Sequence, residues 1–108
     1  IAYLFATLPG VSKVGSYTGT GSAFNVDCGF TAGARFVLIK KTSGTGDWGV
    51  FDTVRGITDS SSPLLRLNNT TAEANFDYLD PYSGGFAHSG ANLTFNAVGA
   101  EYIFYAIA

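Results

Sequence analysis

Apolar and polar residues alternate along much of this chain with a period of two, the spacing of β-strands rather than of helices. The β-branched and aromatic run from Ala34 to Lys41 ends at a Ser/Gly/Thr stretch from Thr42 to Gly46. A second such run then leads from Asp47 to Val54 and stops at Arg55 and Gly56. Two runs around a glycine turn predict a hairpin. Upstream, Lys13–Thr18 and Ser22–Cys28 flank Gly19 and Gly21 as another strand pair. Downstream, Thr58–Pro63 reads as a loop and Leu64–Leu67 as a short strand. Gly85–His88 and Asn92–Asn96 read as a pair around Ser89 and Gly90, and Glu101–Ile107 as the last strand. Thr70–Asn75 is expected to be a loop or a 3₁₀ turn.

The two ends share a pattern. Ile1–Ala6 and Ile103–Ala108 both read Ile-x-Tyr-x-x-Ala, and both are apolar at odd and even positions alike. A strand of that kind wants cover on two faces. Residues 1–7 are therefore expected to be a linking strand from a preceding module, with Tyr3, Phe5, Tyr102, Phe104 and Tyr105 as candidate assembly residues. A plain pair of core strands would leave the same trace. About nine short strands, with turn signals roughly every 8–12 residues, predict an all-β, antiparallel two-sheet sandwich of jelly-roll type.

Composition narrows the function classes. The 108 residues suit one domain. Only 13% are charged and the net charge is −2, so neither a basic nucleic-acid footprint nor a polybasic membrane patch is present. No apolar run approaches the roughly 20 residues of a membrane-crossing helix. Nucleic acid and membrane insertion are thus not expected. One cysteine forms no internal disulfide, and one histidine with one cysteine supplies no zinc set. No metal and no cofactor are expected. A Ser-His-Asp catalyst would have to use His88, and no Gly-x-Ser-x-Gly elbow accompanies it, so no enzyme is expected. The absence of methionine implies a processed product or an excerpt of a longer chain.

Two groups of residues carry what chemistry there is. Asp47, Trp48, Asp52 and Arg55 are the densest, with Trp48 and Asp52 on one face of a strand and Asp47, Phe51 and Arg55 on the other. Trp48 would serve as a core or interface anchor, and Asp52 would pair with Arg55 to fix a turn. Asp27 and Asp59 are the alternative partners of Arg55. An exposed ring beside a carboxylate also suits a sugar, whose C–H face lies on the ring while its hydroxyls meet the acid. The second group is Tyr78, Asp80, Pro81, Tyr82 and His88, around a Pro-Tyr-Ser-Gly-Gly turn. Trp48, Asp52, Tyr82 and His88 are the candidate ligand-binding residues. His88 is otherwise expected to be a hydrogen-bonded or partly exposed histidine, and Cys28 a small apolar residue. Acid pairs such as Asp77 with Asp80 occur in any chain with eight acids and do not indicate glycoside hydrolysis.

The order Gly29-Phe30, Phe36–Lys40, a Ser/Gly/Thr turn, Asp47-Trp48, Phe51-Asp52 and Arg55-Gly56 continues into Leu65-x-Leu67, Thr70, Ala72-Glu73 and Gly85-Phe86. From about Val11 to Ala108 this resembles a β-sandwich domain of tailed-bacteriophage tail and tail-fibre proteins. A looser similarity reaches concanavalin-like and laminin-G-like sandwiches. The resemblance implies a virion component at the host-facing end of the tail, partnered by its own copies or neighbouring domains and contacting a bacterial surface glycan. It supplies no catalytic residues, and fold alone does not fix function. A capsid decoration protein or filament subunit would use the same apolar ends, and a polysaccharide depolymerase or a free carbohydrate-binding module is a further alternative.

Overall fold

The computed structural model describes residues 1–108 and contains nine strands and no helix. They are β1 (Ser12–Thr18), β2 (Phe24–Asp27), β3 (Phe36–Lys41), β4 (Trp48–Asp52), β5 (Ser62–Arg66), β6 (Ala74–Phe76), β7 (Leu79–Tyr82), β8 (Gly85–His88) and β9 (Glu101–Ile107). Six form one sheet in the order β1-β9-β3-β4-β5-β6, and three form a second in the order β2-β8-β7. Every pairing is antiparallel. The first strand pairs with the last, and the second with the last but one, which is the nested wrap of a jelly roll. The β3–β4 hairpin remains within one sheet, and this produces the unequal division into six and three.

Alternation sets the core. In β9, Tyr102, Phe104 and Ala106 point inward, and in β3 Val37 and Ile39 do so. They meet Phe86 and Leu79 of the smaller sheet in one cluster of 15 buried residues. Phe86 meets Phe104 edge to face at 5.3 Å, a favoured aromatic geometry. Gly49 of β4 also faces inward, because a side chain there would overlap the Phe95 ring.

Four expectations about elements change. Residues 1–7 form no strand within this chain; Ser12 instead donates its hydroxyl to the Ala6 carbonyl at 2.8 Å, and Thr7 accepts the Val14 amide at 3.1 Å. Asn92–Asn96 is a turn, since the Asn92 side chain accepts the Phe95 amide at 2.6 Å and offers the backbone a local alternative to a ladder. That turn drives Phe95 into the core. Part of Thr70–Asn75 contributes to β6, an edge strand held by β5. Finally, β8 pairs with β7 and not with residues 92–96. Pro81 is tolerated in β7 because that strand lies at a sheet edge, where its missing N–H breaks no ladder.

Two buried polar side chains tie the loops together. Asn96 accepts the Thr20 amide at 2.8 Å and donates to the carbonyls of Ser22 at 2.9 Å and Gly90 at 2.8 Å. Ser62 accepts the Leu79 amide at 3.1 Å and donates to the Phe76 carbonyl at 2.8 Å.

Candidate functional site

The outer face of the six-stranded sheet is built by the residues that alternation turns away from the core. Register aligns Val14 with Tyr105, Tyr105 with Leu38, Leu38 with Val50, and Val50 with Leu65. The result is an apolar row across five strands, about 19 Å wide at the usual strand spacing. Ile103 and Trp48 border it on one side, Ile107 and Phe36 on the other. Val14 is 42% exposed, Ile103 43%, Leu65 39% and Trp48 37%, whereas Leu38 and Tyr105 in the middle of the row are half-buried and Val50 is buried. Lys40 and Asp52 are the charged members of these rows, and both lie off the central one.

Residues 1–8 form an apolar arm beside this face. Ile1, Tyr3, Leu4 and Phe5 are exposed, and only Phe5 is seated, with its ring 4.4 Å from that of Tyr105. Of the expected assembly residues, Tyr3, Phe5 and Tyr105 therefore lie on the arm or the outer face. Tyr102 and Phe104 do not: both are buried, and their expected role at an interface is corrected by the parity of β9. The apolar character of both faces was legible in the sequence, but not which parity faced inward.

The four expected ligand-binding residues do not converge. Trp48 and Asp52 share the outer face of β4 but stand about 13 Å apart along the strand, with Val50 between them. Asp52 is engaged by Arg55, whose Nε lies 2.6 Å from its carboxylate, and Arg55 also reaches Glu73 at 2.8 Å. Burial alone would raise the Asp52 carboxyl, but hydrogen bonds from Arg55 and its positive charge hold it below the ordinary 3.8. Glu73 escaped the sequence reading because its pairing with Arg55 depends on the course of the loop before β6.

His88 is corrected most sharply. Register places it inward on β8, the central strand of its sheet, opposite Phe24 and Leu79. It is buried against Tyr17 at 4.8 Å, Phe24 at 4.9 Å and Phe86 at 5.8 Å, and neither ring nitrogen has a hydrogen-bond partner. Burial pushes its pKa from 6.5 down to about 4. It is a core residue with no access to a ligand. Cys28 is buried as well, and burial, then the nearby Asp27 charge, push its thiol up to about 11.

Tyr82 alone of the four lines a cleft, with a volume of about 310 Å³, between the β7–β8 turn, residues 32–34 and the turn after β4. Asp80 lines it too, and its Oδ1 is buried without a hydrogen-bond partner. Burial, followed by the charges of Asp77 and Asp59, raises the Asp80 carboxyl above its ordinary value. No group of three or more His, Cys, Asp or Glu side chains is placed to hold a metal ion. Thr53 and Ile57, the far wall of the cleft, carried no signal in the sequence beyond their place after the hairpin.

A family model described as a domain of unknown function (DUF7483) matches residues 1–108. Comparison with curated proteins and with solved structures gave no match.

Proposed function

Because the chain belongs to the DUF7483 family over residues 1–108, a membership that assigns no activity, we propose a reading from its surfaces: a non-enzymatic structural module of a tailed-bacteriophage particle. The observation that carries it is the five-strand apolar row on the outer sheet face, together with the exposed arm beside it. Exposed apolar residues gathered on one face, here Val14, Leu65, Trp48 and Ile103 around a half-buried middle, mark surfaces that meet another molecule. The occupant is a second copy of this chain. The same molecule presents both the exposed members of the face, Val14, Leu65 and Ile103, and the unseated residues Ile1, Tyr3 and Leu4, and the Phe5–Tyr105 contact within the chain supports the fit of the arm's aromatic chemistry to the face.

The setting in a virion, at the host-facing tail, rests on the resemblance of Gly29–Gly56 and the segments after it to tail and tail-fibre domains. In that setting the outer face joins copies, and the loops at the ends of the sandwich face the bacterial surface. Several weak contacts displayed on one assembly gain avidity without new chemistry. A capsid decoration or filament subunit would use the same face, and labelled antibody on intact particles separates head from tail.

Sedimentation over a concentration series tests the association. The wild-type chain is expected to self-associate, and Ile103→Lys, which charges the outer face without touching the core, is expected to remain monomeric. A wild-type chain that is monomeric at the highest concentration reached would refute the reading.

A further inference from the structure

Strand β1 lies at the edge of the six-stranded sheet, and part of that edge is unpaired. Its backbone groups alternate in direction. Val11 accepts the Ala108 amide and Gly19 donates to the Ala100 carbonyl, so the odd-numbered residues of β1 bond toward β9. The even-numbered residues turn the other way. Ser12 exchanges two bonds with Leu8, at 3.0 and 3.1 Å, and the Val14 amide donates to the Thr7 hydroxyl at 3.1 Å. Ser16 and Thr18 follow on the same side, exposed, and neither has a backbone partner there. A groove of about 400 Å³ separates this edge from β2, the edge strand of the smaller sheet. Tyr17 and Phe24 line it, and the Phe104 ring lies against Gly15, where an added Cβ would come within 2.8 Å of it. Unpaired edge groups of this kind are a template for another strand.

The chain itself holds a segment suited to this edge. Residues 1–5 make no backbone hydrogen bond, carry no charged side chain, and leave Ile1, Tyr3 and Leu4 exposed. Leu8 opens a hairpin ladder with Ser12, and the same register carried on would set Leu4 opposite Ser16 and Ala2 opposite Thr18. Within one molecule the ladder stops after that single bridge. The Ser12 hydroxyl holds the Ala6 carbonyl, the Thr7 side chain holds the Val14 amide, and Phe5 turns onto Tyr105 on the outer face. Residues 1–4 are thereby carried off their own edge, and an open strand and an open edge are left on the same chain.

We propose that Ile1–Leu4 of one copy adds as an antiparallel strand to the β1 edge of a second copy, with Leu4 opposite Ser16, Ala2 opposite Thr18, and the Tyr3 ring in the groove over Phe104. Alternation puts Tyr3 on the groove side whenever Leu4 and Ala2 face β1 with their backbone groups. Exchange of an element between identical chains costs little, because each copy presents the same strand and the same edge. This contact rests on the self-association proposed above and names the segment and edge that make it. It uses no residue of the apolar row, so the two can fail separately.

Amide hydrogen exchange, followed by NMR along a concentration series that sedimentation has placed between monomer and assembly, tests this pairing. The Ser16 and Thr18 amides are expected to exchange freely in the monomer and at least tenfold more slowly in the assembly. Ser16→Pro removes an edge-facing N–H that the folded monomer does not use, a position where a strand tolerates proline. It is expected to weaken association at least tenfold with a folded spectrum, whereas Ser16→Ala associates as the wild type does. Leu4→Pro, in a segment outside every strand, is expected to have the same effect as Ser16→Pro and guards against misfolding of that variant. Association with both amides still exchanging freely, or undiminished in Leu4→Pro, would overturn the exchange and leave the outer-face contact standing. Protection of both amides already in the monomer would overturn it in favour of a hairpin closed within one chain. A wild-type chain monomeric at every concentration would refute both.

Discussion

His88 sets a pH limit on this fold that a single substitution should remove. The imidazole is enclosed by Tyr17, Phe24 and Phe86, and neither nitrogen has a partner. Opposite it in register are Phe24 on β2 and Leu79 on β7, and the Tyr17 phenol packed against it is spent on the Phe95 carbonyl at 2.8 Å. No carboxylate is there to compensate a positive charge. In the unfolded chain the ring takes a proton near pH 6.5, and in the folded chain near pH 4. Above pH 6.5 it is neutral in both states and stability does not depend on it. As the pH falls from 6.5 toward 4, the unfolded state binds a proton that the folded state refuses, so stability drops across that window. At about 1.4 kcal/mol per pH unit, the loss amounts to ~3 kcal/mol by pH 4 and ~2 kcal/mol by pH 5. Against the 5–15 kcal/mol typical of a small domain, this is a large share. Urea unfolding of wild type and His88→Phe at pH 7.5 and pH 5 measures it. The two chains share every other titrating group, so the difference between their pH dependences isolates the imidazole. Wild type should lose ~2 kcal/mol more than the variant between those pH values. Parallel losses would refute the account of a buried, unpaired histidine.

Other substitutions probe the parts that hold the loops and layers. Asn96→Ala removes the side-chain partner of the Thr20 amide and of the Gly90 carbonyl, and one of the two donors to the Ser22 carbonyl, and should cost about 2–3 kcal/mol in a denaturant melt. Gly49→Ala inserts a methyl where the Phe95 ring already lies, so thermal unfolding should register about 1–3 kcal/mol of destabilisation. Asp52→Asn weakens a pair that is partly open to water, and should shift stability by no more than about 1 kcal/mol, an effect that added salt reduces.

Strand identity was legible wherever the residues themselves favoured extended backbone. The β3–β4 hairpin was read from β-branched and aromatic runs around a glycine turn and β9 from the apolar run after Gly99, and both form where expected. The segments that misled are those in which a partner overrides local preference. Ile1–Ala6 has the composition of a strand, yet no ladder in this chain receives it. Asn92–Asn96 looks extended until Asn92 bonds to the Phe95 amide and closes a turn. Pro81 and Tyr82, read as the start of a Pro-Tyr-Ser-Gly-Gly turn, instead end strand β7, whose position at an edge leaves the missing proline donor harmless.

The sequence alone determined the period-two pattern, and with it an all-β chain of short strands in two sheets, because side-chain alternation follows from backbone geometry and needs no knowledge of neighbours. It also showed that the final strand is apolar on both faces. Tertiary structure decided which face is which. A strand apolar at every position reads the same in either parity, and only pairing register assigns Tyr102 and Phe104 to the core while leaving Ile103 and Tyr105 outside. The same holds for the sites. Trp48, Asp52, Tyr82 and His88 are spread over an outer face, a cleft and the core, because distance between residues remote in sequence is set by sheet order and loop path.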